Sequence, residues 1–356
     1  MNNLFNNKNN LFSNENLGNI GSATTPEEVF INDIKINEIH KIHKIIAFAK
    51  ECGVAADETQ IKELYEVAVM RALKKRLTND VQQNYQIACE IYEKQVNFAH
   101  RTSNSILLQQ YSTPLPLSYL AGAYVAHNQR KKAVYLEPSA GNGLLTVALP
   151  SEFTVVNEID KNRRKNLEKF GNYSYVLDLD ATKFATDKPY YDGIITNPPF
   201  GRWETEKIGG YPIQKLEFIM AIRALDTMKA SGRAAIIIGG HTEWDEQGRV
   251  ENGANRYFLS YLYHYYNVEK VLNIDGKMYA KQGTTFPIRL ILINGRKATP
   301  DGTAPLKTDY DRTVRTFEEL WVRMSWYFRN TPKNRRISEI EKLMLKAIAE
   351  MENSNI

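Results

Sequence analysis

Apolar and polar positions divide the chain into two regimes. From residue 24 to 105 apolar residues recur three, four or seven apart, as at Val29, Ile36, Ile39, Ile42, Ile46 and Ala49, roughly the spacing of one face of a helix. The stretch "TTPEEVF" predicts where this pattern starts. Thr25 is placed to cap the helix, Pro26 fits its first turn, and Glu27 and Glu28 lie near the positive end of its dipole. Two more helices are expected over about 57–77 and 80–101. The region carries no strand signal and reads as a helical bundle.

From about residue 133 the period changes. Seven short apolar runs alternate with helical stretches: "AVYLE", "FTVVNE", "YSYVLD", "YDGIIT", "RAAIIIG", "VEKVLNI" and "IRLILING". Strands alternating with helices imply an α/β, Rossmann-like fold, with a mostly parallel seven-stranded sheet covered on both faces. The last two runs are joined by a loop containing Gly276 and Gly283, without a helix, which predicts an antiparallel edge hairpin. Two helices with capping boxes follow, Thr316 with Glu319 and Ser338 with Glu341. The expected units are an Asn-rich disordered arm (1–23), a helical region (24–105), an α/β domain (106–296) and a C-terminal loop with two helices (297–356).

Composition narrows the class. With 43% hydrophobic residues among 356, a sizeable core is affordable. The net charge of +5 suits a polyanionic partner without requiring one. The two cysteines, Cys52 and Cys89, build neither a zinc site nor a disulfide framework, so no metal is expected. The first 20 residues lack the basic flank and apolar core of a leader, and no run of 18 apolar residues is present. The expectation is a soluble, cytoplasmic protein without membrane contact.

The chemistry concentrates at the ends of the first four strands. The first ends in "EPSAGNG", where small residues and glycines between a strand and a helix let a ligand approach the backbone. It is not a phosphate loop, because no Gly-Lys-Ser/Thr follows, and Glu137 would repel a pyrophosphate and attract a sulfonium or ammonium group. The second strand ends in "VVNEID"; Glu158, with Asp160 second, stands where doubly wound folds hold a ribose diol. The third ends in "VLDLDATKF", where Asp180, with Asp178 as its competitor, can accept from a purine's exocyclic amine. The fourth closes on Asn197-Pro198-Pro199-Phe200.

This ordered set resembles the S-adenosylmethionine-dependent amino-methyltransferases, in particular the adenine-N6 DNA methyltransferases, over about residues 106–295. The resemblance implies the Rossmann-like methyltransferase fold, S-adenosyl-L-methionine as cofactor and double-stranded DNA as partner. "QYSTPLPLSYLAG" is similar to the segment that packs over the methionine moiety, which nominates Tyr111, Thr113 and Pro114. The cofactor loop would comprise Glu137, Pro138, Ser139, Ala140, Gly141 and Gly143, with Glu158 and Ile159 at the ribose and Asp180 and Ala181 at the adenine. "GTTFPIRLILI" looks like the hairpin whose aromatic meets the target base, nominating Phe286 beside Phe200; a core role for Phe286 is the alternative. The pattern also resembles methyltransferase domains of phage and mobile-element proteins, some joined to helicases, so a helicase or other protein is a further expected partner. The chain after the hairpin is shorter than in many relatives of this subgroup, so target recognition is expected from the helical region or from 241–266.

An adenine N6 amine is a poor nucleophile because its lone pair is delocalised into the ring. The Asn197 side-chain oxygen and the Pro198 carbonyl are suited to accept its two N–H bonds, with acceptors aimed where positive charge develops. Pro198 and Pro199 stiffen the turn, and Phe200 offers a stacking face to a flipped base. The same tetrapeptide occurs in enzymes acting on RNA adenine or a protein glutamine amide. A non-catalytic anti-restriction or DNA-binding module is the reading from another class. Three basic stretches, 128–132, 161–165 and 321–336, are either phosphate contacts or ordinary surface, and the four aromatics of the last either stack on bases or face the core.

Overall fold

The computed structural model describes residues 24–39, 41–98 and 111–329. The arm expected over 1–23 and the capping box of Ser338 and Glu341 lie outside the described residues. Helix α1 (Pro26–Asp33) starts as expected: the Thr25 hydroxyl accepts from the Glu28 amide, and Glu28 returns a bond to the Thr25 amide. The apolar period through Ala49 is not one helix, however. The chain turns extended at Ile34 and resumes as α2 (Ile42–Glu51), because Ile34 and Ile36 are both drawn into the core. Helix α3 (Glu58–Lys74) matches its expected position, whereas α4 (Val81–Lys94) starts as expected and stops short of 101, the chain turning extended at Gln95; Asp57 and Asp80 cap them.

Helix α5 (Leu115–Ala126) is apolar on nearly every side and leads into the sheet. Its strands are β1 (Tyr135–Glu137), β2 (Thr154–Asn157), β3 (Tyr175–Leu177), β4 (Tyr191–Thr196), β7 (Met228–Gly239), β8 (Tyr266–Ile274) and β9 (Ile288–Arg296). Between β4 and β7 the chain forms a separate hairpin, β5 (Arg202–Ile208) and β6 (Tyr211–Lys215). The order is β3-β2-β1-β4-β7-β9-β8, and β9 alone runs against its neighbours. This is the expected Rossmann-like arrangement, a mostly parallel seven-stranded sheet. The expected antiparallel pair is present, with β8 at the edge and β9 inserted beside β7; the connecting loop carries a 3-10 helix over Gly276–Gln282.

Side chains on successive strand positions point to opposite faces, and both faces are covered. Ala235, Ile237, Leu290 and Leu292 pack towards α1–α5 and the C-terminal aromatics. Ala234, Ile236, Ile238, Ile291 and Ile293 pack towards α7 (Leu216–Asp226) and α8 (Ala254–Tyr265). Helix α6 (Lys161–Phe170) follows β2. The loop after β1 leads only to a 3-10 turn, Leu144–Thr146, rather than to the expected helix, since Pro150 follows within a turn.

Helix α9 (Phe317–Met324) is capped by Thr316, whose hydroxyl accepts from the Glu319 amide; the Glu319 carboxylate takes the Arg315 amide. The aromatics that follow face inward: Trp321 stacks on Tyr85 at 5.3 Å and Tyr327 meets Tyr124 edge-on at 5.0 Å. They are packing residues, so the base-stacking alternative for this segment does not hold for residues 321–328. Among the described residues no helix is long and apolar enough to cross a membrane.

Candidate active site

Parallel β1, β2, β3 and β4 bring four loops to one edge of the sheet, where they enclose a cavity of about 380 Å³. Asn157, the last residue of β2, ties three of these loops together. Its side-chain nitrogen donates to the Pro138 and Leu179 carbonyls at 2.9 Å each, and its side-chain oxygen accepts from the Leu179 amide at 2.8 Å. Its own carbonyl accepts from the Ala140 amide. A fully bonded amide at a buried strand end stiffens the site before any ligand arrives. Sequence reasoning passed over Asn157; an amide closing an otherwise apolar strand is the signal that could have found it.

Most of the nominated residues line this cavity: Tyr111, Thr113, Pro138, Ser139, Ala140, Gly141, Glu158, Ile159, Asp180, Ala181, Asn197 and Pro199. Gly141 adopts φ +57, a left-handed conformation that costs glycine little. Its amide donates to Glu158 Oε2 at 2.7 Å, while Glu158 Oε1 accepts from the Asp160 amide at 2.8 Å. Burial raises the Glu158 pKa, and the two amides and Arg163 oppose this without reversing it. Ile159 presents 71% of its surface beside that carboxylate. Asp180 accepts from the Thr182 amide and hydroxyl and pairs with Lys183 at 3.0 Å, which holds its pKa below the usual range. Asp178 is exposed, faces Arg164 at 3.8 Å, and is not part of the cavity wall.

Three of the residues nominated for the cofactor are not on the wall. Glu137 is 0% exposed; as the last residue of a strand hydrogen-bonded on both sides, it turns beneath the loop and accepts from the Ser139 amide (3.0 Å) and hydroxyl (3.2 Å). Burial pushes its carboxyl up to about 8, and Oε2 has no hydrogen-bond partner among the described residues. It therefore does not face a ligand cation. Gly143 is a packing position: a Cβ there would lie 2.3 Å from the Tyr173 hydroxyl. Pro114 opens α5 rather than facing the cavity.

Asn197 stands where this cavity meets a second, narrow one of about 30 Å³, lined by Tyr111, Pro198, Phe200, Tyr279 and Phe286 among others. The Asn197 amide nitrogen donates to Thr113 Oγ1 at 2.9 Å and lies 3.5 Å from the Tyr111 carbonyl. That pairing assigns the amide orientation and leaves its oxygen without a hydrogen-bond partner among the described residues. Next to it, the Gly201 amide is held by Glu217 at 3.0 Å, which fixes the exit of the Asn-Pro-Pro-Phe turn. Phe286 is 51% exposed, with its ring centroid 5.9 Å from that of Phe200, so it is a surface aromatic and not a core residue. The antiparallel run of β9 brings it there, because Ile288 pairs with Gly239 at the same edge.

One N-terminal helix, α3, supports the cavity wall. Glu66 of α3 accepts from Ser112 Oγ at 2.8 Å and from Asn142 Nδ2 at 2.9 Å, and Glu63 pairs with Arg163 Nε at 3.1 Å. Ser112, Asn142 and Arg163 are all wall residues. Burial pushes Glu63 up to about 7 against the pull of Arg163. Of the three basic stretches, 161–165 thus turns partly inward through Arg163, and Arg130 of 128–132 pairs with Asp192 at 2.9 Å. Residues 330–336 lie outside the described residues.

No protein-family model matches the sequence, and no curated protein matches it. Among solved structures, a class I S-adenosylmethionine-dependent methyltransferase from Listeria monocytogenes is similar at 11% identity, over 86% of this chain and 100% of that one, with a TM-score of 0.48. A modification subunit of a type I restriction enzyme from Vibrio vulnificus YJ016 is similar at 16% identity, over 72% of this chain and 60% of that one, at 0.43. An RNA methyltransferase from Pyrococcus horikoshii is similar at 17% identity, over 60% and 98%, at 0.39. Likeness at this level says nothing of this chain's activity; the fold stands on its own strand order.

Proposed function

We propose that the chain is an S-adenosylmethionine-dependent methyltransferase whose acceptor is the N6 amine of adenine in DNA. The observation that carries this reading is Asn197: its nitrogen is held by Thr113 and Tyr111, and its oxygen is left as an acceptor between a ligand-sized cavity and a pair of aromatic rings. A cavity of about 380 Å³ lies within the range of small-molecule sites. Its wall suits the cofactor: Glu158 has lone pairs left for a ribose diol, Ile159 offers an apolar face to a purine, and Gly141 lets the backbone come close. When bound there, the cofactor supplies an electrophilic methyl group.

The chain's own contribution is placement and charge. Asn197 Oδ1 and the Pro198 carbonyl accept the two N–H bonds of the amine and draw its lone pair out of conjugation. As positive charge develops on that nitrogen, these fixed acceptors stabilise it. Pro198 and Pro199 hold the turn, and Phe200 and Phe286 flank the entering group. The slot of about 30 Å³ is smaller than a purine, so the two rings must part to admit one. That observation also favours a second reading, transfer to a primary amide such as a protein glutamine.

The test is expression in a host lacking adenine methylation, followed by sequencing of its DNA for N6-methyladenine, with labelled cofactor offered in parallel to DNA, RNA and protein. Methyl transfer to DNA is expected. Asn197→Ala should lose at least about a hundredfold in rate while cofactor binding by calorimetry stays within a few-fold. Unchanged transfer in that variant would falsify the assignment.

A further inference from the structure

Helix α6 is capped by Asp160, whose carboxylate accepts from the Asn162 and Arg163 amides, but three cations follow it. Its first turn carries Lys161, Arg163 and Arg164 and no acid, although the helix dipole makes that end repel cations. Arg163 is also only 9% exposed, and a buried cation is costly unless it is paired. Its surroundings account for the charge. Burial lowers its pKa, but Glu66, Glu63 and Glu158 more than reverse that.

The hydrogen bonds account for only part of the side chain. Glu63 of α3 takes Nε at 3.1 Å, and among the described residues no other partner is bonded to the guanidinium. The remaining edge lines the cavity beside Gly141, where a Cβ would stand 3.7 Å from Nη1. Gly141 keeps that approach open. A guanidinium held by one edge presents its other N–H groups as a planar fork, the geometry that binds a carboxylate through two bonds.

We propose that Arg163 receives the carboxylate of a zwitterionic amino-acid tail on the ligand of this cavity, and that Glu63 positions it. This rests on the reading of the cavity as an S-adenosylmethionine site. The tail's ammonium is then left to the acidic side of the same wall, so a neutral zwitterion is matched by one cation among several carboxylates. Helix α3 becomes part of ligand recognition, although it precedes the sheet by some sixty residues of chain.

Calorimetry on the full chain tests this with three probes: S-adenosylhomocysteine, 5′-methylthioadenosine, which has no amino-acid tail, and decarboxylated S-adenosylmethionine, which keeps the sulfonium and amine alone. The wild-type protein should bind S-adenosylhomocysteine about ten- to a hundredfold more tightly than either probe without a carboxylate. Arg163→Gln should remove that preference and leave affinity for 5′-methylthioadenosine unchanged; Glu63→Gln should reduce the preference in part. Equal wild-type affinity for all three probes overturns the proposal, and needs no variant to fold. So does an Arg163→Gln protein that weakens all three alike, which would make the arginine a structural strut, or one that weakens none. If the wild-type protein binds none of the three, the cavity reading itself fails, and that result is distinguishable from the others.

Discussion

Asn197 shows how far one residue's role can be read before its neighbours are known. A strand that ends in Asn-Pro-Pro-Phe announces a stiff turn with acceptors in it, but which atom of the amide is left to accept depends on Thr113 and Tyr111. Those two residues lie more than eighty positions earlier, so no local pattern supplies the orientation. The same holds for Glu137, which reads as a ligand contact and is instead sealed below the loop. Gly239 offers a test at this scale. A Cβ there would approach Phe200 Cδ2 to 2.8 Å and Phe286 Cε1 to 3.0 Å. Gly239→Ala should push the two rings out of their present places at a cost of about 1–3 kcal/mol. Steady-state kinetics should show the change in the acceptor KM, with the dissociation constant of S-adenosylhomocysteine unmoved.

The elements divide by how local their causes are. The caps of α1 and α3 are written in four consecutive residues each, and both form as such: Asp57 accepts from the Gln60 amide at 2.8 Å and Gln60 returns the bond at 3.1 Å. Asp57→Ala should lower stability by about 1 kcal/mol, read as a shift of the urea midpoint without change in slope. The β5–β6 hairpin was overlooked, although Gly209-Gly210 between two polar-apolar runs is a turn signal, and both glycines have positive φ, 55° and 90°. Charged, mostly exposed β5 hid it, although β6 buries Ile213 in the core beside Ile208 and Tyr211. The hairpin is also held by Tyr265, whose hydroxyl donates to the Gly209 carbonyl, and by a contact between Glu206 and Arg223. The break between α1 and α2 was illegible for the opposite reason. Its isoleucines fit a helical period, and only the core they enter decides that the chain straightens.

For the whole molecule, the buried acid beneath the site sets a pH dependence. The Glu137 carboxyl is raised from 4.5 to about 8 in the folded state, so between those values the folded protein holds a proton that the unfolded chain releases. Stability from this group is therefore fully present below about pH 4.5 and declines as pH rises towards 8, by a few kcal/mol at most. Denaturant unfolding of the wild type should weaken over that window, and Glu137→Gln should flatten the slope; an identical slope would remove Glu137 as its source. By itself the sequence determined the strand-and-helix alternation, the positions of all seven strands and the four loops that meet at the cavity, because those follow from side-chain period and from glycine and proline. It could not determine which loop atoms face the cavity, that Asn157 would bind three loops into one wall, or that Glu63 and Glu66 of the first helical region would support Ser112, Asn142 and Arg163. Those contacts join residues from about twenty to a hundred positions apart. They exist only once hydrophobic burial has fixed the sheet order and laid α3 against its edge, because hydrogen bonds of this reach have no local energy to announce them.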